Sequence, residues 1–132
     1  MIVIDTHVLV WWASGSKLLS ATAAKLIRDT LDNDGKVIVS CISVWEISML
    51  IEKGRLALTM DVAHWLHEIT QIDGIHFMPV DNEIAIQSTT LPGKLHKDPA
   101  DRMIVATARK LAMPLVTADE KIRAYKQVKT VW

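Results

Sequence analysis

Five short runs of β-branched and aliphatic residues punctuate this chain, and none of them alternates cleanly with polar residues. They are Ile2-Val3-Ile4, Val37-Ile38-Val39, Ile75 to Val80, Leu115-Val116-Thr117 and Val128 to Val131. A strand with one wet face shows a polar residue at every second position. Strands that stay apolar throughout must be covered on both faces, as in a parallel sheet. That requirement excludes most all-β architectures and needs helices to supply the cover.

The intervening stretches carry those helices. Ser20 is placed to cap a helix to about Leu31, with Ala23, Ile27, Thr30 and Leu31 on one side, before a turn at Asn33-Asp34-Gly35. Ile42 to about Lys53 reads as a helix stopped by Gly54, and Asp61 to Gln71 as the next, before a turn at Asp73-Gly74. Asn82 to Thr89 follows, then a Leu91-Pro92-Gly93 loop. Asp98-Pro99 opens a last long helix ending near Leu111, ahead of Pro114. Strands separated by helices predict a three-layer α/β/α sandwich with a mainly parallel central sheet and right-handed crossovers. At 132 residues, half of them hydrophobic, residues 1–132 are expected to form one domain around a proper core.

Fifteen basic and fifteen acidic residues cancel, so overall charge does not attract a polyanion. A nucleic-acid partner would have to be held by a local basic patch and a metal. The single Cys41 excludes an internal disulfide and fits a reducing compartment. Val8 to Ala13, the longest obvious apolar run, is far too short to span a bilayer. The chain opens on a strand-like run without the basic segment of a secretory signal, so a cytoplasmic location is expected.

Four carboxylates sit where an apolar segment ends or on an otherwise apolar helical face: Asp5, Glu46, Asp101 and Asp119. Burying an acid there costs free energy unless something positive meets it, and the sequence supplies no obvious basic partner for any of them at helical spacing. Asp5 and Asp119 follow strands, where an open α/β sheet places its active site. Each also has a plainer role as the cap of the helix that follows. Glu46 has Ile42, Ser43, Met49 and Leu50 as its helical neighbours, a mostly apolar stripe. In Asp98-Pro99-Ala100-Asp101, capping alone would explain both acids, yet Asp101 looks along the helix to Ile104 and Val105. Asp101 is favoured as the ligand, with Asp98 as second candidate.

A shared divalent cation would satisfy all four acids at once. Mg²⁺ and Mn²⁺ prefer carboxylate and water oxygens, and the reaction class such a centre suits is phosphodiester hydrolysis. The Thr6 and Thr117 hydroxyls could orient a ligand or the water. His7, His64, His67, His76 and His96 form no zinc pattern, and neither a Gly-rich phosphate loop nor a nucleophile elbow is present. A phospho-acceptor domain would need paired acids after the first strand and an acceptor Asp ending a middle strand. Asp5 stands alone, and the second strand ends in Ser40.

These stretches together resemble the PIN-domain ribonucleases, specifically the VapC-type toxins of bacterial type II toxin–antitoxin pairs. The matching segments are Met-Ile-Val-Ile-Asp5-Thr6-His-Val-Leu-Val-Trp-Trp, Ser43-Val-Trp-Glu46-Ile, Leu-His96-Lys-Asp98-Pro-Ala-Asp101-Arg102-Met-Ile-Val-Ala-Thr-Ala and Leu-Val-Thr117-Ala-Asp119. They run the length of the chain in family order. The resemblance implies a Mg²⁺- or Mn²⁺-dependent endoribonuclease cutting tRNA, rRNA or mRNA, with Asp5, Glu46, Asp101 and Asp119 as its catalytic acids and metal ligands. Asp98 joins the metal candidates through the Asp-Pro-x-Asp-Arg element of one subgroup. The alternatives are a non-toxin nuclease of the same fold in RNA processing, or a catalytically silent binding module.

The resemblance also implies a cognate antitoxin and a homodimer. Trp11, Trp12, Trp45, Trp65 and Trp132 suit protein interfaces, although packing is the commoner role for any one of them. Trp11 and Trp12 are adjacent and cannot share a helical face, so one is expected to meet a partner. Lys94, Lys97 and Arg102 flank the proposed site as candidate RNA contacts, with pairing to Asp98 as the alternative for Arg102.

Overall fold

A computed structural model describes residues 1–132. Its elements, in chain order, are β1 (Ile2–Ile4), α1 (Thr6–Ser14), α2 (Ala21–Asp32), β2 (Val37–Ser40), α3 (Cys41–Glu52), α4 (Val62–Thr70), β3 (Ile75–Met78), α5 (Asn82–Thr89), α6 (Pro99–Leu111), β4 (Leu115–Val116), α7 (Glu120–Ala124) and β5 (Thr130–Val131). The five strands form one sheet in the order β3-β2-β1-β4-β5, and every neighbouring pair is parallel.

The two covered faces follow from the strand period of two. Ile2, Ile4, Val37, Val39 and Val116 point into one core with Val8 and Leu9 of α1, Ala23 and Ile27 of α2, and Ile69 of α4. Val3, Ile38 and Leu115 point into the other, with Ile84 of α5, Ile104, Val105 and Ala108 of α6, and Ile122 of α7. Helix α3 contributes to both, Ile47 to the first and Ile42 to the second. The result is the three-layer sandwich that unbroken apolar strands require.

Local chemistry fixes most helix ends. The side chains of Ser20, Asp61, Asp81 and Asp98 accept from the backbone N–H groups of Ala23, His64, Ile84 and Asp101, each three residues on. Gly54 takes a left-handed φ of 69° after α3, where its N–H reaches Ile51 and that of Arg55 reaches Leu50. In the Asn33-Asp34-Gly35 turn it is Asp34, not the glycine, that turns left-handed, at φ 57°. Strand ends differ more from expectation. β3 stops at Met78 rather than Val80, and β5 begins at Thr130 rather than Val128, whose side chain packs into the second core instead of joining the ladder. β2 runs into α3 without a connecting loop, because Ser40 ends the strand and caps the helix, its Oγ accepting from Ile42 N–H at 3.2 Å.

This strand order places a topological switch at β1. The chain adds β2 and β3 on one side and β4 and β5 on the other. The crevice beyond the carboxyl ends of β1 and β4 is where such sheets bind ligands.

Candidate metal centre

Ile4 and Val116 are register partners on adjacent strands, so the residues that follow them emerge side by side at the switch point. Those residues are Asp5 and Thr117, both buried. Asp5 caps α1, its Oδ1 accepting from Thr6 N–H at 2.7 Å, while its Oδ2 accepts from the Thr117 hydroxyl at 2.7 Å. Thr117 Oγ1 in turn accepts from Asp119 N–H at 3.1 Å, and Asp119 Oδ1 caps α7 through Lys121 and Ile122. A single chain of bonds thus ties β1, β4 and the starts of α1 and α7 together. The Thr6 hydroxyl shares a 2.8 Å bond with Ser43 Oγ on α3, one turn before Glu46.

The acids converge. Asp5, Glu46, Asp98, Asp101 and Asp119 line one cavity of about 450 Å³, joined by His7, Trp11 and Ala118. Its wall holds no lysine or arginine. Burial raises the Asp5 carboxyl above its ordinary value, opposed by the Thr117 and Thr6 hydrogen bonds and reinforced by Asp119. Burial likewise raises Glu46, with the nearby Thr6 hydroxyl opposing and the Asp5 and Asp98 charges adding. Asp101 is pushed up to about 6, first by burial, against the hydrogen bond from His96 and with the charges of Asp5, Asp98 and Asp119 behind it. Three carboxyls raised in one cavity is the pattern of a site short of positive charge.

The structure separates the Asp98–Asp101 pair. Asp98 is exposed and uses Oδ1 to cap α6 at Asp101 N–H, 2.9 Å away. Asp101 is only 16% exposed, and its oxygens lie with Asp119 and His96 in a group whose candidate ligand atoms are all within 4.8 Å of one another. Lone acids at a surface gather without ions, but Glu46 Oε1 here is a buried carboxylate oxygen with no hydrogen-bond partner. Such an atom is costly unless a cation or its water meets it. The donor set, mostly carboxylate oxygen, therefore fits a hard divalent ion.

His96 joins the acids without any signal in the sequence that singles it out. His96 Nε2 lies 2.7 Å from Asp101 Oδ2, supplying the partner that no helical spacing offered. It does so from the irregular segment before α6, five positions back, where no periodicity reports it. Arg102 also differs from expectation. No ion pair joins it to Asp98; its Nε donates to the Ser88 carbonyl at 2.7 Å and its Nη1 to the Leu95 carbonyl at 2.9 Å. The guanidinium thereby fastens the loop that carries His96. Lys94 and Lys97 are exposed and do not line the acidic cavity.

A second and larger cleft, about 820 Å³, lies between the end of α1, residues 57–60 and α4. It is mainly apolar, with Glu68 its one charged side chain. The five tryptophans divide accordingly. Trp12 and Trp65 line this cleft, Trp11 lines the acidic cavity, Trp132 packs on the first core, and Trp45 is exposed.

Comparison with known proteins agrees with this geometry. The PIN domain family model matches residues 2–128. The chain is 30% identical to ribonuclease VapC22 of Mycobacterium tuberculosis, over 99% of this chain and 98% of that protein. Its fold is similar to VapBC2 from Rickettsia felis, solved bound to a DNA fragment from its promoter, with TM-score 0.73 at 14% identity, covering 100% of this chain and 99% of the other. It is similar also to VapC20 of Mycobacterium tuberculosis, a sarcin-ricin-loop-cleaving toxin, with TM-score 0.66 at 15% identity over 98% and 99% of the two chains.

Proposed function

The chain belongs to the PIN domain family, and on that premise we propose that it is an endoribonuclease toxin restrained by a cognate antitoxin. The observation that supports this most is the convergence of Asp5, Glu46, Asp101 and Asp119 in one cavity beyond the strand ends, with a buried carboxylate oxygen left unpartnered. In this reading Asp5, Asp101 and Asp119 would hold Mg²⁺ or Mn²⁺, with Glu46 and, at the rim, Asp98 lining the same cavity. A divalent ion there supplies Lewis acidity, lowering the pKa of a bound water and offsetting charge on the phosphate.

The rest of the work falls to the chain. Thr117 and Thr6 hold the Asp5 carboxylate in one orientation. His96 does the same for Asp101. Glu46, whose Oε1 is buried without a hydrogen-bond partner, is assigned the proton of the attacking water. Water adds across a phosphorus–oxygen bond of the RNA backbone, and the leaving oxygen takes up a proton. Lys94 and Lys97 are proposed to contact the RNA backbone beyond the cavity, whereas the bonds of Arg102 assign it to holding the His96 loop.

The antitoxin reading draws support from the similarity to VapBC complexes. The apolar cleft beside Trp12 and Trp65 is the surface we assign to that partner. Exposed Trp45 and Ile86 support a further protein contact, for which we propose a homodimer. No helix is long and apolar enough to cross a membrane, and an RNA target makes the cytoplasm the proposed location.

Incubation of the purified protein with total cellular RNA tests the activity. Cleavage is expected with Mg²⁺ or Mn²⁺ and should stop in EDTA. RNA left intact under both conditions would overturn the nuclease assignment.

A further inference from the structure

Three aromatic rings stand in a row beside the acidic cavity. His7 and Trp11 lie one turn apart on α1 with ring centroids 5.8 Å apart, tilted by 49°. Trp11 stands 5.9 Å from Trp132, tilted by 52°. His7 and Trp11 line the acidic cavity, and Trp132 lines the adjoining cleft with Arg123 and Thr130. The row therefore leads from the carboxylates to a cleft lined by one acid and one base, Glu120 and Arg123. Packing accounts for Trp12, Trp65 and Trp132, which rest on the first core. It does not account for Trp11, which is packed against neither core and sits among acids.

Charge sharpens the point. A polyanion drawn into this cavity meets five carboxylates and no lysine or arginine on its wall. Side-chain cations cannot supply the local binding energy, so uncharged contact must supplement the ion. Aromatic faces provide such contact for any base, because every base has a π-face. We propose that the His7–Trp11–Trp132 row seats an unpaired nucleobase flanking the scissile phosphate. This rests on the nuclease reading and adds to it a base-binding subsite.

Binding can be separated from cleavage in the Asp5→Asn variant, using fluorescein-labelled mixed-sequence single-stranded RNA of about twelve nucleotides, within the usual site size. Adding Trp11→Leu is expected to raise Kd on the order of tenfold, and Trp11→Phe to leave it within about twofold, as the loss or retention of one stacked base demands. A matched RNA with abasic sites should bind about tenfold more weakly to the protein that keeps Trp11. Equal Kd for the Leu and Trp proteins, with unchanged thermal midpoints, would overturn the subsite. If the Leu variant does not fold, the abasic comparison decides: equal binding of both RNAs, or of neither, overturns it. A parent protein that cuts RNA while ignoring the missing bases loses the aromatic row and keeps the nuclease. One that cuts nothing loses the nuclease reading itself.

Discussion

The Thr117 hydroxyl donates to Asp5 Oδ2 at 2.7 Å, although 112 positions separate the two residues in the chain. The bond crosses from the end of β4 to the end of β1, and the same hydroxyl oxygen accepts from Asp119 N–H at 3.1 Å. One side chain thus orients two of the acids. It also opposes the upward push of burial on Asp5.

Thr117→Val keeps the shape and removes that donor. A buried carboxylate oxygen and the Asp119 N–H both lose their partner, at a cost of about 1–3 kcal/mol. Urea denaturation at neutral pH should show the loss, cleavage should fall with it, and Thr117→Ser should recover most of both. A valine variant as stable and active as the parent would remove Thr117 from the site.

Asp5→Asn is expected to lower cleavage by at least about a hundredfold, since a neutral amide offers a hard cation one oxygen and no charge. In EDTA its thermal midpoint should be equal to or above the parent's. The substitution removes a buried charge that Asp119 repels. A variant that cuts RNA as fast as the parent would refute the assignment.

The raised carboxyls predict an unusual pH response in the metal-free protein. Asp5, Glu46 and Asp101 hold their protons to higher pH when folded than when unfolded. Their contribution to stability is complete below the unfolded values, 3.8 for Asp101, and is lost as pH rises through the folded values, about 6 for Asp101. In EDTA the thermal midpoint should therefore rise as pH is lowered from 7 towards 5. Added Mn²⁺ should raise the midpoint at pH 7 more than at pH 5, because below about 6 protons compete for the same oxygens. A midpoint that falls steadily from pH 7 to 5 in EDTA would contradict this balance.

His96→Asn withdraws the partner of Asp101 while leaving the carboxylate in place. Outer partners of ligating groups typically contribute 10–100-fold in metal affinity. Titration with Mn²⁺ followed by electron paramagnetic resonance should show a weaker Kd in about that range, with urea stability changed little. An unaltered Mn²⁺ affinity would leave His96 a bystander.

How much of this could be read from residues alone depended on the distance over which each cause acts. Caps are local, so Ser20, Asp61 and Asp98 mark their helices correctly, and the Asn82–Thr89 helix has the bounds its sequence suggests. Strand ends depend on a neighbour. β5 is two residues long because β4 offers only Leu115 and Val116 to pair with, which nothing in Val128 to Val131 announces. The acids were legible one at a time as misplaced charges, and their meeting follows from the strand order. His96 and Arg102 were not legible in their actual roles. The first acts from a segment without periodicity, and the second bonds carbonyls that the loop brings near it.

Thr117 and Asp119 leave the ribosome more than a hundred codons after Asp5. Between those two moments a nascent chain has not assembled the acidic cavity, however well its early helices have folded. On the assignment proposed above, these acids meet only when β4 docks beside β1. The inhibitor proposed above would therefore need to meet only chains in which that docking is complete.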